Sequence, residues 1–331
     1  MQIFYELNKN PKLSLALGFF DGVHLGHKKV IKSAVDYAKQ HNCKSAVITF
    51  KDHPCCYLWN LKPQYILEQK NRENLIASMG VDYLYELDFK SISDLSAQEY
   101  LENILIDNFK PISVSTGWNH NFGHNKSGNC ELLKENSKKH GYEYFELSPQ
   151  KIGDEIISST AIRKYLQSGK IENANAMLGY NFFVEGQVIK GNQIGRTIGY
   201  KTANIEYPTE LIEIPYGVYS SVIKIHGLCE EACRRCNPVN STVDNVSGLP
   251  RRTINCTARN DDIKYKAIAN YGLRPTVNGS KPVLEVHILD FDEDIYGETI
   301  TVEFIRMLRP ERKFNSLDEL KKQIDIDLKS I

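Results

Sequence analysis

The stretch that decides the fold reads Gly18-Phe19-Phe20-Asp21-Gly22-Val23-His24-Leu25-Gly26-His27. An apolar run at 13–17 precedes it and predicts a buried strand, and a mixed run at 28–40 follows it and predicts a helix. Backbone N–H groups and the dipole at a helix start favour a bound anion. Two histidines three residues apart can donate hydrogen bonds to phosphoryl oxygens as charge develops. The stretch therefore predicts a phosphate site between a strand and a helix.

A bare His-x-Gly-His turn is also compatible with a tight turn that carries one core histidine. The longer string is more restrictive, because Gly22 permits the sharp turn and Gly26 permits close approach of a nucleotide to the backbone. No Gly-Lys-Ser/Thr follows at the required spacing, which excludes a Walker-type phosphate loop.

The first half of the chain alternates between strand-like and helix-like runs. Strands are predicted at 13–20, 45–50, 81–87, 112–116 and 142–147, and helices at 28–40, 71–79, 96–109 and 132–140. Ser96 and Glu99 form a predicted capping box, and Gly141 is a predicted helix stop. This order predicts a parallel sheet covered by helices, with ligands bound at the carboxyl ends of its strands.

The pattern changes after two further predicted helices, at 157–168 and 171–178. Strands without intervening helices are predicted at 182–190, 217–225, 263–270, 282–290 and 298–307, and a last helix at 316–328. Consecutive strands of this kind are typical of a small antiparallel barrel or sandwich. A domain boundary is therefore expected near residues 179–181.

Composition limits the classes of partner. The chain has 41 basic and 41 acidic residues and a formal net charge of zero, so it has no general attraction for nucleic acid or for an anionic membrane. No apolar run approaches the ~18 residues needed to span a bilayer, and the first ten residues lack the layout of a secretory signal. We expect a cytoplasmic protein whose cysteines are mostly thiols. The sequence leaves its oligomeric state open.

The segment 227–262 interrupts the strand pattern with turn-rich sequence. It contains Cys229, Cys233, Cys236 and Cys256. These spacings lack the paired Cys-x2-Cys knuckles of zinc ribbons, which leaves two interpretations open. One is a zinc site, and the favoured one is a tolerated surface insertion.

Three later segments join the opening motif. They are Thr49-Phe50-Lys51-Asp52-His53-Pro54, Gly117-Trp118-Asn119-His120-Asn121-Phe122-Gly123 and Ser158-Ser159-Thr160-Ala161-Ile162-Arg163. In this order the set resembles the FAD synthetase module of bacterial bifunctional riboflavin kinase/FAD synthetases, over about residues 13–163. That family belongs to an adenylyl-transferring superfamily, which shares its His-x-Gly-His element with class I aminoacyl-tRNA synthetases.

The resemblance implies that FMN and ATP give FAD and pyrophosphate, with His24 and His27 as catalytic residues that bind the ATP phosphates. It also implies nucleotide contacts from Gly18, Phe19, Asp21, Gly22, Gly26, Asn119, Ser159, Thr160 and Arg163. Of these, Ser159, Thr160 and Arg163 would hold the triphosphate, and Asn119 would contact phosphate or magnesium. His120 departs from the family pattern, which has Phe at that position.

The second half carries its own set of motifs. They are the glycine-rich stretch 191–205, Asn270-Tyr271-Gly272-Leu273-Arg274-Pro275-Thr276 and Leu284-Glu285-Val286-His287-Ile288-Leu289-Asp290-Phe291. Together they resemble the riboflavin kinase module, over about residues 182–328. The resemblance implies that Glu285 is the base for the ribityl hydroxyl, that Thr202 and Asn204 hold magnesium, and that nucleotide contacts come from Gly191, Gly195, Arg196, Gly199, Thr202 and Asn204. Lys201 departs from the family motif, which has proline there, and it removes a backbone constraint.

These interpretations combine into one prediction. We expect an α/β protein with a Rossmann-like nucleotidyltransferase domain at 1–180 and a six-stranded antiparallel Greek-key barrel with a terminal helix at 181–331. The expected function is bifunctional: riboflavin to FMN, then FMN to FAD, with ATP as co-substrate and Mg²⁺ as cofactor. Three alternatives remain open: a monofunctional FAD synthetase with an impaired barrel, a non-catalytic flavin-binding protein, and an adenylyltransferase with another acceptor.

Overall fold

The structure is a computed structural model that describes residues 1–10, 12–59, 62–190, 199–226, 263–276 and 279–331. Gly191, Gly195, Arg196 and the predicted insertion at 227–262 with its four cysteines lie outside these residues. The chain divides into two compact units. The first comprises Met1–Gln167, Asn173–Tyr180 and Thr209–Glu213, and the second comprises Ser168–Glu172, Asn181–Pro208 and Ile214–Ile331.

The first unit is built on a parallel sheet. Its strands are β1 (Gln2–Phe4), β2 (Leu13–Leu17), β3 (Lys44–Phe50), β4 (Tyr83–Leu87), β5 (Ser113–Gly117) and β6 (Glu143–Leu147). They lie in the order β1-β4-β3-β2-β5-β6, and every pair is parallel. β2 is buried along its whole length, which its continuous apolar sequence predicts. This confirms the predicted parallel sheet and places the opening motif directly after a central strand.

Helices connect these strands. They are α1 (Leu25–Gln40), α2 (Pro54–Leu58), α3 (Gln69–Ser78), α4 (97–109), α5 (Cys130–His140), α6 (Ser159–Gln167) and α7 (Ile171–Leu178). Within α4, residues Ala97–Glu99 and Asp107–Phe109 are α-helical, and Tyr100–Ile106 form a π-helix. The predicted capping box of Ser96 and Glu99 is present, and α5 ends at Gly141 with a φ of 74°. Both predicted local signals are therefore confirmed.

Short elements complete the first unit. They are two hairpins, Asn121–Phe122 with Gly128–Asn129 and Lys151–Ile152 with Glu155–Ile156, and two 3₁₀ turns, Phe89–Ser91 and His124–Lys126. One hydrophobic core links the sheet to α4 and includes Leu15, Tyr85, Leu101 and Phe109. The sheet and its core give a fixed edge from which the loops after β2, β5 and β6 project.

The second unit is an antiparallel sheet of six described strands. They are β7 (Phe183–Gln187), β8 (Ala203–Glu206), β9 (Gly217–His226), β10 (Tyr265–Thr276), β11 (Gly279–Ile288) and β12 (Thr299–Pro310). Their order is β7-β12-β9-β10-β11-β8, so β8 precedes β9 in the chain but pairs with β11. This is the predicted Greek-key arrangement. A bridge between Ile189 and Asn204 brings the two edges together into a near-closed barrel.

The terminal helix α8 (Leu317–Lys329) packs on this barrel. Ser316 caps it by accepting the backbone N–H of Glu319, as predicted. Its Asp327 is 5% exposed and forms an ion pair of 2.9 Å with Arg309 of β12. Among the residues that the structure describes, no helix is both long and apolar enough to cross a membrane.

The structure differs from the predicted elements in several places. Residues 203–206 form a strand where a glycine-rich loop was expected, because pairing with β11 overrides their weak local preference. Helix α2 and strand β1 had no prediction, since each is too short for a periodic pattern. Strand β2 stops at Leu17, three residues early, because Gly18 and the positive φ of Phe20 (58°) turn the chain.

Candidate active sites

A cavity of about 360 Å³ lies at the edge of the sheet in the first unit. It is lined by the ends of β2, β5 and β6, at Leu17, Gly117 and Leu147. The carboxyl ends of parallel strands are where such folds bind ligands. The structure brings eight predicted site residues into this lining: Gly18, Phe19, His24, Gly26, His27, Asn119, Ser159 and Thr160. Three distant segments of the sequence therefore meet in one cavity.

The turn that leads into α1 is strained. Phe20 and Val23 have φ angles of 58° and 35°, which cost energy for residues with a Cβ, and Gly22 has a φ of 78°. A Cβ on Gly22 would also lie 3.1 Å from the Ile66 side chain. Gly22 thus serves the sharp turn, as predicted.

Hydroxyl groups from three separate segments hold this turn by donating to its carbonyl oxygens. The pairs are Thr49 Oγ1 to Phe19 O at 3.0 Å, Ser159 Oγ to Asp21 O at 3.0 Å and Tyr180 Oη to Gly22 O at 2.6 Å. These bonds offset the backbone strain and fix the position of the helix start. Ser159 is therefore also a structural residue of the turn, in addition to lining the cavity.

The two histidines are stacked on one another at the start of α1. His24 is the N-cap residue, and its Nδ1 accepts the backbone N–H of His27 at 3.2 Å. Because Nδ1 is an acceptor, the ring proton of neutral His24 lies on Nε2, which is then a donor. The ring centroids of His24 and His27 are 3.5 Å apart. A Cβ on Gly26 would lie 3.1 Å from the His24 ring, so this glycine makes room for that imidazole.

Burial keeps both imidazoles uncharged. It lowers the pKa of His24 to about 4, with the nearby Lys28 charge acting in the same direction. Burial also holds the pKa of His27 well below its usual value, aided by His24 and Arg163. Nδ1 of His27 is buried and has no hydrogen-bond partner among the described residues. At neutral pH the pair is therefore a neutral hydrogen-bonding group beside the cavity.

We expect the stability of the first unit to fall as the pH drops from about 6.5 towards 4. The unfolded chain takes up a proton at His24 near pH 6.5, whereas the folded protein resists this until about pH 4. The difference corresponds to about 3 kcal/mol for His24. Urea unfolding at a series of pH values measures the effect. His24→Asn keeps an N-cap acceptor and removes the titration, so its pH dependence should be flatter; an equally steep profile would contradict this assignment.

Arg163 is held by a buried carboxylate. It forms an ion pair with Asp21, whose side chain is 3% exposed, and it donates Nε–H to Gln64 O at 2.9 Å. Asp21 also accepts the backbone N–H of Ile66 at 3.0 Å. Asp21, Gly22 and Arg163 do not line the cavity. Arg163 is therefore paired with a buried carboxylate, outside the lining of the cavity, and its predicted contact with the triphosphate stays a prediction.

Replacement of Arg163 by Met should destabilise the first unit by about 3–5 kcal/mol, since it leaves Asp21 buried without its partner. The double variant D21N/R163M should recover part of this loss. Urea unfolding of the two variants and the parent protein measures both effects. If R163M kept the parent stability and only weakened ATP binding, the contact with nucleotide that the sequence predicts would be the main role of Arg163.

Residues 117–122 form another wall of the cavity. Trp118 lines the cavity and is 45% exposed. Asn119 is the next lining residue, and its backbone carbonyl oxygen accepts a hydrogen bond from Asn121 Nδ2 at 2.9 Å. His120, the departure from the family pattern, stacks on Phe122 with ring centroids 5.8 Å apart. Burial lowers the pKa of His120 to about 4. A neutral imidazole thus takes the place of a phenyl ring in this wall.

The second unit has a separate pocket of about 160 Å³. Its lining includes Lys201, Thr202 and Ala203 together with the loop 291–296. Thr202 is half-buried there, and Gly199 has a φ of 91° just before this segment. The structure therefore brings Thr202 into a pocket, while Asn204 and Glu285 do not line it.

Glu285 lies in a row of polar residues across three strands. It is directly opposite Asn204 of β8 on one side and Asn270 of β10 on the other. Residues paired in this way have their side chains on the same face of a sheet. Asn204 is 3% exposed and Glu285 is half-buried. The structure thus brings together two of the predicted kinase residues, and it adds Asn270 to them.

Sequence reasoning missed two residues that support the first site. Tyr180 anchors the turn through Gly22, and Lys28 lies 4.9 Å from the centre of the Tyr180 ring and donates to Leu178 O at 3.2 Å. Tyr180 is 158 positions from Gly22 in the chain. No local pattern indicates a contact over that separation.

Comparisons with known proteins match the two halves of the chain to two different family models. A family model described as FAD synthetase matches residues 6–161, and one described as riboflavin kinase matches residues 178–331. Two curated proteins named bifunctional riboflavin kinase/FMN adenylyltransferase are similar along most of their length. The protein from Listeria monocytogenes is 32% identical over 95% of this chain and 89% of its own. That from Buchnera aphidicola is 33% identical over 98% and 94%.

One solved structure has a similar fold over its whole length. It is described as a macrolide-efflux protein from Streptococcus pneumoniae. It superimposes with a TM-score of 0.80 at 29% identity and covers 99% of this chain and 98% of its own. The architecture described above is therefore shared with an experimentally determined structure.

Proposed function

Because the chain belongs to the family of bifunctional riboflavin kinase/FMN adenylyltransferases, we propose that it phosphorylates riboflavin to FMN and adenylylates FMN to FAD, using ATP in both steps. We assign adenylyl transfer to residues 1–180 and riboflavin phosphorylation to residues 181–331. The observation that carries the proposal is the meeting of His24, His27, Asn119 and Thr160 in one cavity. We also propose that the enzyme works in the cytoplasm.

In the proposed adenylyl transfer, a phosphate oxygen of FMN attacks the α-phosphorus of ATP, and the bond to pyrophosphate breaks. The reaction needs no covalent enzyme intermediate, so the protein contributes positioning and charge stabilisation. Nε2–H of neutral His24 and the ring of His27 donate hydrogen bonds to the phosphate oxygens as charge develops. Asn119, Ser159 and Thr160 bind the substrates along the cavity wall. The fixed turn and the tautomer of His24 support this assignment, because both pre-organise donors before substrate arrives.

In the proposed kinase step, Glu285 accepts the proton of the ribityl 5′-hydroxyl while that oxygen attacks the γ-phosphorus of ATP, and the bond from the γ-phosphorus to the bridging β–γ oxygen breaks to release ADP. Asn204 and Asn270 flank Glu285 and orient it and the substrate. Thr202 binds the nucleotide from the adjacent pocket. The position of Glu285 between two amides on one face supports its role as the base.

The donor set fits a magnesium ion. Thr202 and Asn204 offer a hydroxyl and an amide oxygen, which are hard ligands of the kind that Mg²⁺ prefers. No group of three His, Cys, Asp or Glu side chains suited to a metal occurs in the described part of the chain. A magnesium ion that accompanies a nucleotide is typically held by one or two protein oxygens together with substrate phosphates. When bound, such an ion neutralises phosphate charge, and we propose Thr202 and Asn204 as the residues that hold it.

Product analysis tests the proposed function. Purified protein is incubated with riboflavin, ATP and magnesium, and the flavins are separated by chromatography. We expect FMN to form first and FAD to follow, with release of pyrophosphate. Failure to make FMN from riboflavin, with FMN still converted to FAD, would reject the kinase half. Consumption of ATP with a nicotinate or pantetheine nucleotide, but not with FMN, would reject the assigned acceptor.

A further inference from the structure

Lys201 and Asp292 are paired within the pocket of the second unit. Nζ of Lys201 forms an ion pair with the Asp292 carboxylate, and both residues line the pocket. Lys201 lies immediately before Thr202 in the chain, and the loop 291–296 contributes to the same lining. The pair therefore lies in the lining of the pocket that also contains Thr202, the residue to which we assign the nucleotide.

This ion pair is exposed and easily exchanged. The two side chains are 54% and 87% exposed, and exposed pairs of this kind contribute at most about 1 kcal/mol. A polyphosphate carries several negative charges and more acceptor oxygens than one carboxylate. It can therefore displace Asp292 from the lysine at little cost in free energy.

The backbone at Lys201 is held in place without proline. His287 Nδ1 lies 2.8 Å from Lys201 O, and Tyr200 Oη donates to Asp325 of α8 at 2.6 Å. The Tyr200 ring packs edge-on against His287 with centroids 5.3 Å apart. These contacts fix the backbone from which the Lys201 side chain extends, next to Thr202 in the chain.

The lining of the pocket contains more acidic than basic side chains among the described residues. Asp292, Glu293 and Asp294 all line it, and Lys201 is the one cationic side chain among the described residues of the lining. Three carboxylates repel an incoming nucleotide polyphosphate unless a positive charge compensates them. Lys201 is positioned to supply that charge.

We propose that Lys201 is a nucleotide-binding residue of the kinase site, which exchanges Asp292 for a phosphate oxygen when nucleotide enters. This inference rests on the proposed function, since that function places Mg-ATP at Thr202. Lys201 thus replaces the conformational constraint of the family proline with a direct electrostatic contact. It sets nucleotide affinity and leaves the proton transfer at Glu285 unchanged.

The test measures the initial rate of riboflavin consumption against ATP concentration. Lys201→Met should raise the KM for ATP about tenfold and leave kcat within about twofold, and Lys201→Arg should restore most of the affinity. Lys264→Met is the matched control. Like Lys201, Lys264 is about half exposed, at 52%, and forms an ion pair with a carboxylate, Glu303, at 3.7 Å, but it does not line the pocket. It should leave the KM unchanged. An unchanged KM in K201M, or a loss confined to kcat with reduced thermal stability, would overturn the inference.

Asp292→Asn distinguishes exchange from simple repulsion. If Asp292 competes with phosphate for Lys201, D292N should lower the KM for ATP about two- to threefold in the parent and have little effect in K201M. An equal gain in both backgrounds would show that Asp292 acts by repulsion alone and would overturn the exchange. If the parent protein consumed no riboflavin at all, the proposed function itself would fail. Parent activity with an unaltered KM in K201M would refute only the role of Lys201.

Discussion

Replacement of His27 by Ala should stop the reaction at FMN, with FAD formation reduced by about 10²–10³-fold. His27 lines the cavity, and its backbone N–H at the same time fixes the acceptor tautomer of His24. Removal of the ring takes away a hydrogen-bond donor to the substrate phosphates and the surface on which His24 stacks, with ring centroids 3.5 Å apart. Chromatography of the flavins formed from riboflavin and ATP measures the effect, since FMN should accumulate at the parent rate.

Two controls make this result specific. His41→Ala changes an exposed histidine at the C-terminal end of the same helix and should leave FAD formation unchanged. Continued FMN formation by H27A reports that the second unit is intact, and thermal unfolding reports on the first. FAD formation by H27A at the normal rate would show that the cavity in the first unit is not the adenylyl transfer site.

Replacement of Glu285 by Gln should have the complementary effect. We expect FMN formation from riboflavin to fall by about 10²–10⁴-fold, because glutamine cannot accept the hydroxyl proton. Conversion of supplied FMN to FAD should stay at the parent rate, since His24 and His27 belong to the first unit. Glutamine keeps the size of the side chain and its place opposite Asn204 and Asn270, so the row of polar residues is preserved.

Glu206→Gln is the matched control for this variant. Glu206 lies on β8, two positions after Asn204, and its side chain is exposed. The same change of charge at this position should leave both activities unaltered. If E285Q retained the parent rate of FMN formation, or if E206Q lost as much activity as E285Q, Glu285 would not be the base.

Much of the fold could be predicted because its signals are local. The alternation of short apolar strands with amphipathic helices, the capping box at Ser96 and the stop at Gly141 each involve residues within one or two turns of chain. The change to consecutive strands after residue 180 is equally local. Strand β8 was not predicted because it is stabilised by pairing with β11, about 80 positions later in the chain.

The candidate sites were likewise predictable only in part from the sequence. The sequence identified the residues that line the first cavity, because the order of their motifs resembles that of a known family. The sequence could not predict that Arg163 forms an ion pair with Asp21, 142 positions away, or that Lys201 forms one with Asp292, 91 positions away. The resemblance implied a phosphate partner for Arg163, and in both cases the folded chain supplies a carboxylate.

The sequence by itself determined the chemistry of this protein: two histidines after a buried strand, a glutamate in a β-strand, and an architecture of parallel sheet followed by barrel. Tertiary structure alone decided which of these groups are charged, which are already paired and which are held rigidly. Burial at the helix start makes the histidines neutral, and the hydroxyl of Tyr180 fixes the turn that presents them. These properties depend on solvent exclusion and on contacts between distant segments, which exist only once the chain is folded.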